Sequence, residues 1–143
     1  MIGLYILEYL NILPGGIAVV VLSLFGVLTV LDLLLLFRNR DGIKAERHLP
    51  DRFSNGDENH IRLSVSNRYF FKVYLQVIDE LPYQFQVRDF ELSFSLQPAE
   101  TKYQSYSLRP TERGEYHFGR LLIYARSLIG LVNIRYAFGD ETM

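Results

Sequence analysis

The sequence predicts an all-β immunoglobulin-like sandwich of about seven antiparallel strands, preceded by an N-terminal transmembrane α-helix. Three observations carry this. All 15 Lys and Arg residues lie at Arg38 or later, and Glu8 and Asp32 are the only charges before it. Ile17 to Phe37 is an apolar run of 21 residues. Beyond it, apolar and polar residues alternate with period two in one short segment after another, which means one face buried and one wet. The division into parts follows: residues 1–37 as a membrane anchor, 38–42 as a basic juxtamembrane link, and 43–143 as the β-sandwich.

The apolar run comes first. At about 1.5 Å per residue it spans roughly 30 Å, the hydrocarbon thickness of a bilayer. It is apolar all round, unlike the amphipathic helix of a soluble core. A cleaved signal peptide would need a basic stretch upstream, a shorter apolar run and a small-residue cleavage site. Here nothing basic precedes the run, and it ends in Arg38-Asn39-Arg40. Arg38, Arg40, Lys44 and Arg47 crowd its C-terminal side, so the positive-inside rule places the body in the cytoplasm and the N-terminus outside. Residues 1–13, before Pro14-Gly15-Gly16, are also apolar but too few to span. They read as an interfacial stub, or as the second half of a first membrane helix whose beginning precedes this chain.

Asp32 interrupts the run. An intramembrane carboxyl is costly and is a functional suspect by default. It lies six residues before Arg38, roughly 9 Å from the interface. The preferred expectation is a structural role: facing a partner helix, protonated, or drawing water from the headgroups. Proton or ion movement is the sharper alternative.

The strands follow in order. Residues 61–66, 71–77, 90–96 and 132–138 alternate without a fault, 103–108 and 115–125 fill the gaps, and 43–49 leads in from the membrane. Ser54-Asn55-Gly56-Asp57 is a turn, with Gly suited to positive φ. Pro82 ends the third strand, because proline cannot donate to a ladder. Pro98-Ala99-Glu100 and Arg113-Gly114-Glu115 mark two more turns. In the sixth segment Tyr116 and Phe118 set one phase and Leu121, Ile123 and Ala125 the other, so Gly119 between them is expected at a β-bulge. No flexible linker separates helix and sandwich, which puts the domain close to the membrane surface.

Composition narrows the function. A charged fraction of 22% excludes a pure membrane bundle, and 49% hydrophobic residues exclude a disordered chain. The absence of Cys excludes disulfides, thiolate zinc sites and a cysteine nucleophile. A net charge of −1 gives no electrostatic reason to expect nucleic acid. His48, His60 and His117 lack metal-ligand spacing. Asp57-Glu58-Asn59 matches no calcium loop and reads as a solvated turn. Asp79 and Glu80 are adjacent on a strand and point to opposite faces, which argues against shared acid–base work. No phosphate loop or nucleophilic serine setting is present. The expectation is a non-enzymatic chain without cofactor or metal, whose ten Tyr residues serve mostly amphipathic strand packing; a partner-binding face of Arg and Tyr is the alternative.

Several elements occur together in a fixed order: Arg47-His48-Leu49-Pro50-Asp51-Arg52-Phe53-Ser54-Asn55-Gly56-Asp57, then Asp79-Glu80-Leu81-Pro82, then Leu108-Arg109-Pro110, Arg113-Gly114-Glu115-Tyr116-His117-Phe118-Gly119 and Gly130-Leu131. In this order the chain resembles the N-terminal half of the bacterial family called domain of unknown function 58. The likeness implies two membrane helices and an immunoglobulin-like β-domain, then a von Willebrand A-like domain that this chain lacks. It also implies a place in the bacterial inner membrane and, as partners, a MoxR-type AAA ATPase, other membrane proteins and a separate von Willebrand A-like domain. Where the family reads Asp-Pro-x-Gly-Leu, this chain has Ser127-Leu128-Ile129-Gly130-Leu131, without the Asp and Pro. The chain is then expected to be a fragment or split product of the family.

The matched residues have folding roles of their own. Gly114 and Gly119 permit a tight turn and a bulge. Tyr116 is placed to be a tyrosine-corner residue, its hydroxyl bonding upstream backbone. Arg113 is expected to pair with Asp79 or Glu80. Three functions remain: a membrane-anchored scaffold presenting a cytoplasmic β-domain to an AAA ATPase assembly, an exported, membrane-tethered adhesion or binding module, and an intramembrane ion or proton element built on Asp32.

Overall fold

A computed structural model describes residues 2–10, 16–87, 90–139 and 141–142. The Pro14-Gly15 break lies outside the described residues. Two helices come first: α1 (Ile2–Tyr9) and α2 (Ile17–Phe37). The latter has the bounds of the apolar run. It begins after Gly16 at φ 95°, and its last turn closes with Arg38 N–H on the Leu34 carbonyl at 3.0 Å. Only Ala18, Asp32 and Leu36 of α2 are buried. A helix of this composition that leaves Leu24, Phe25 and Leu34 bare in a single chain is built for an apolar surrounding.

Nine strands follow among the described residues: β1 (Ile43–His48), β2 (Asn59–Asn67), β3 (Val73–Asp79), β4 (Phe90–Leu96), β5 (Thr101–Leu108), β6 (His117–Phe118), β7 (Leu121–Arg126), β8 (Asn133–Phe138) and β9 (Glu141–Thr142). They form a three-stranded sheet, β1-β2-β5, and a four-stranded sheet, β4-β3-β7-β8, with β6 and β9 as a separate pair. Every pairing is antiparallel. β4 sits beside β3 rather than beside β5, so the fourth strand belongs to the opposite sheet from its place in a constant-type immunoglobulin domain.

The alternation read from sequence becomes burial. In β2, Ile61, Leu63 and Val65 point inward, and in β3 Val73, Leu75 and Val77 face them. All of these but Ile61 join Leu96, Leu121, Ile123 and Ala125 in the main core. Each aliphatic chain buried there contributes about 1.5–3 kcal/mol. Leu36 of α2, fully buried, belongs to the same cluster, so the helix end is part of the domain's core. A second cluster lies at the far end, built from Ile61, Phe85, Leu108, Tyr116 and Phe118 with Phe53 packed on it.

Gly119 produces a break rather than a bulge. The single segment expected over 115–125 splits into β6, paired with β9, and β7, paired with β3 and β8. Across the break, Gly119 N–H donates to the Glu80 carbonyl at 2.9 Å, and Glu80 N–H to the Arg120 carbonyl at 3.2 Å. A Cβ on Gly119 would lie 2.6 Å from that of Glu80, so only glycine lets the two segments close.

The turn at 54–57 also differs in detail. It does not join two strands directly but sits within the longer connection between β1 and β2. Asn59 holds it from the inside: its amide donates to the Ser54 carbonyl at 3.0 Å and accepts from Ser54 N–H at 2.9 Å.

Candidate functional site

Three arrangements stand out. The first is the junction of α2 with the domain. Asp32 is fully buried, not against a second helix but against the β7–β8 loop. Its Oδ1 accepts from the Ser127 hydroxyl, and its Oδ2 accepts from Leu131 N–H at 2.7 Å and Val132 N–H at 2.8 Å. Ser127 Oγ in turn accepts from Ile129 N–H at 3.1 Å. Gly130, at φ 71°, supplies the left-handed residue this turn needs. The carboxylate therefore serves as an acceptor for donors that a loop would otherwise leave unpaired.

One helical turn on, the Tyr69 hydroxyl donates to the Leu36 carbonyl at 2.7 Å, one of the helix-end acceptors without an intrahelical partner. Its oxygen lies 2.6 Å from that of Tyr136. Burial, and secondarily the neighbouring Tyr136, pushes the Tyr69 phenol well above its ordinary range. Gly42 makes room for the ring: a Cβ there would lie 2.2 Å from Tyr69 atoms. Helix and sandwich are thus joined by packed, hydrogen-bonded contacts.

The second arrangement lies inside the sandwich. Arg47 of β1 forms a buried ion pair with Asp79 of β3, its Nη2 on Oδ1 and its Nε 3.3 Å from Oδ2. Arg47 also donates to the Gly119 carbonyl at 3.2 Å and lies over the Phe118 ring at 5.1 Å. The Tyr106 hydroxyl of β5 donates to Asp79. Burial, and then the Asp79 charge, holds the Tyr106 phenol well above its ordinary value. The ion-paired side chains are buried, and their polar groups bond one another, the Tyr106 hydroxyl and the Gly119 carbonyl.

The third is the outer face of the four-stranded sheet. Tyr74 pairs across the ladder with Arg126, and Tyr124 with both Gln76 and Arg135. Lys72 Nζ lies 5.2 Å and Arg126 Cζ 5.8 Å from the Tyr74 ring. Tyr74, Gln76, Tyr124 and Arg126, with Ser93 and Asn133, line an open hollow of about 570 Å³. Aromatic and Arg side chains held this way have the composition of a protein-binding surface.

The remaining singled-out residues fall in separate places. Glu80 accepts from Arg120 N–H at 2.8 Å. Pro82 caps the 3-10 turn Tyr83–Phe85. Tyr116 donates to the Glu112 carbonyl at 2.8 Å, the upstream backbone bond of a corner tyrosine. Gly114 stands at φ 153°. The expected pairing of Arg113 with Asp79 or Glu80 is incorrect. Arg47 reaches Asp79 from inside the sandwich, while Arg113 is exposed and makes no salt bridge among the described residues. His48 and His60 bond serine hydroxyls on the outer face of the three-stranded sheet. Among the described residues no group of three His, Asp or Glu side chains converges as metal ligands would.

Arg47, Asn67, Tyr69 and Ser127 were not singled out for these roles in the sequence. Arg47 has a legible signal: it occupies an inward phase of β1 between Ala45 and Leu49, where a charge demands a buried partner.

No known family profile matches the chain, and no curated protein matches it. Among solved structures it is similar to the ASH / PapD-like domain 7 of human CEP192, with a TM-score of 0.50 and 15% identity over 69% of this chain and 82% of that one. It is also similar to the Northeast Structural Genomics Consortium target SoR45, at TM-score 0.49 and 7% identity over 71% of this chain and 85% of that one. The CEP192 likeness agrees with an immunoglobulin-like sandwich and speaks to the fold alone.

Proposed function

We propose that this chain is a non-enzymatic, membrane-anchored scaffold. Its β-domain, on the cytoplasmic side of a bacterial inner membrane, presents the outer face of the four-stranded sheet to a partner protein. The observation that carries this is the Tyr74–Arg126 face, held in fixed relation to an apolar helix of bilayer length through Asp32. A rigid junction suits a module that positions a partner relative to the membrane. Catalysis has no support in the three arrangements, since the buried polar groups are mutually satisfied and the exposed face lacks a nucleophile–base pair. The partner we favour is a MoxR-type AAA ATPase assembly, from the resemblance described above.

The test joins topology to binding. A fluorescent protein fused after Met143 should fluoresce in cells, whereas alkaline phosphatase activity at the same position would replace the scaffold with an exported tethered binding module. With topology established, Arg126→Glu and Tyr74→Ala should abolish co-purification of the ATPase with the membrane-inserted chain. Undiminished capture by both variants would remove this face from the proposal.

A further inference from the structure

We infer that the β7–β8 loop is itself inserted into the lipid at the membrane interface. It is a second point of attachment, and Asp32 fixes its depth. This rests on the reading of α2 as a membrane-spanning helix.

Depth is the first part of the case. Asp32 lies six residues before Arg38, roughly 9 Å along the helix axis. If Arg38 marks the headgroup level, whatever bonds to Asp32 sits about that far toward the hydrocarbon, within the range reached by interfacial amphipathic segments. Leu131 and Val132 do so through their backbone N–H groups, so the loop backbone, not just one side chain, reaches that level.

A loop at such a depth must meet two conditions, and this one meets the first and, for three of its N–H groups, the second. Its side chains must be apolar: Ser127-Leu128-Ile129-Gly130-Leu131-Val132 carries no charge, and Leu128 is 66% and Leu131 41% exposed. Its backbone must be satisfied within the protein, since lipid offers no partners. The Asp32 carboxylate and the Ser127 hydroxyl take the N–H groups of Ile129, Leu131 and Val132. The same bonds account for a carboxyl in an apolar helix, which is tolerated there when it faces protein donors.

The surroundings match. Phe70, 68% exposed, lies beside Leu35 and Arg38 and stacks edge-on against Phe71 at 5.1 Å. Arg68 and Lys72 flank the Phe70 turn, and Arg126 precedes the β7–β8 loop. Apolar tips bordered by cations suit acyl chains beneath anionic headgroups. Lipid is the favoured occupant because the loop carrying Leu128 and Leu131 is bonded directly to Asp32 of α2, and Phe70 lies beside Leu35 of the same helix.

The absence of native Cys allows single-site labelling of the full chain in vesicles of phosphatidylethanolamine with a minority of phosphatidylglycerol. An environment-sensitive fluorophore is placed at Leu128→Cys, at Leu24→Cys within α2, and at Ser107→Cys at the far end of the sandwich. Quenchers are aqueous iodide and lipids bearing doxyl groups near the headgroup end or the centre of the acyl chain. The label at 128 should be quenched by the shallow doxyl lipid and lose iodide quenching relative to 107. The label at 24 should respond to the deep doxyl lipid. Adding Asp32→Ala should move the 128 label into iodide reach and leave the 24 label unchanged. Iodide quenching at 128 equal to that at 107, with 24 still in lipid, overturns the inserted loop and leaves the anchor standing. Shielding of 128 from both quenchers overturns it in favour of a protein cover. Iodide quenching at 24 removes the spanning helix and the inference with it.

Discussion

The Arg47 guanidinium and the Asp79 carboxylate meet between the two sheets, their side chains 1% and 0% exposed. Each comes from a different sheet, and Tyr106 adds a bond from β5. The pair therefore ties sheet to sheet in a layer that is otherwise held by non-directional apolar packing. A buried pair contributes little net stability against an apolar replacement, but breaking one half strands a charge. Asp79→Ala should thus lower the unfolding free energy by about 3–5 kcal/mol. The double variant Arg47→Met with Asp79→Leu should be closer to the parent than Asp79→Ala is. Chemical unfolding of the full chain in detergent micelles reads both. A double variant no better than the single one would mean that the cluster is needed for the sandwich to form.

Gly42 lies where the link enters the domain, and its missing Cβ is the space that the Tyr69 ring fills. Gly42→Ala should cost about 1–3 kcal/mol, the usual range for overpacking. The strain falls on the bond from Tyr69 to the Leu36 carbonyl, so the same variant should expose residues 38–42 to limited proteolysis in micelles. Gly26→Ala is the control: nothing lies within 4 Å of its added Cβ, and alanine favours a helix.

Alkaline pH tests the buried phenols. Tyr69 and Tyr106 are both held above their ordinary values, chiefly by burial, as is Tyr136. A folded pKa above the unfolded one means that the stability they lend is complete below the unfolded value and is lost as pH rises toward the folded value. With unfolded tyrosine at about 10, loss should begin there. Spectrophotometric titration should show part of the ten tyrosines ionising reversibly and the remainder only with cooperative unfolding. Tyr106→Phe should make the alkaline loss shallower. Smooth ionisation of all ten without unfolding would contradict the burial.

Much of the architecture was legible because it depends on period and length, which a sequence displays directly. The alternation at 61–66 and 90–96 became β2 and β4, and the apolar run kept its bounds as α2. What escaped depends on contacts distant in sequence. Asp32 stood out as a costly charge, but Ser127, Leu131 and Val132 are nearly a hundred positions away, and two of their bonds are made by backbone, which carries no residue signature. The sequence offers Arg113 as a partner for Asp79 or Glu80 across the end of the sandwich, whereas the inward phase of β1 puts Arg47 in the core. Gly119 was legible as a special position. The choice between bulge and break lay with Glu80, packed against it from the end of β3.

Asn67 closes β2 and is almost fully buried. Its amide donates to the carbonyls of Phe71 and Gln97, each at 3.0 Å, and its oxygen accepts from Tyr69 N–H at 2.9 Å. It therefore shapes the turn carrying Tyr69 and Phe70 and joins it to the β4–β5 turn. Asn67→Ala leaves those carbonyls and one N–H without this partner, a cost of about 1–3 kcal/mol. Asn67→Asp nearly keeps the shape but turns an acceptor toward two carbonyls, so it should cost more at neutral pH. The introduced carboxyl ionises freely in the unfolded chain and poorly in the folded one. Its penalty should shrink as pH falls from neutral toward about 4, the unfolded value, and level off below it, where both states are protonated. Unfolding curves of the two variants at neutral and acidic pH check this. If Asn67→Asp is as stable as the parent at neutral pH, the amide is not the donor at this turn.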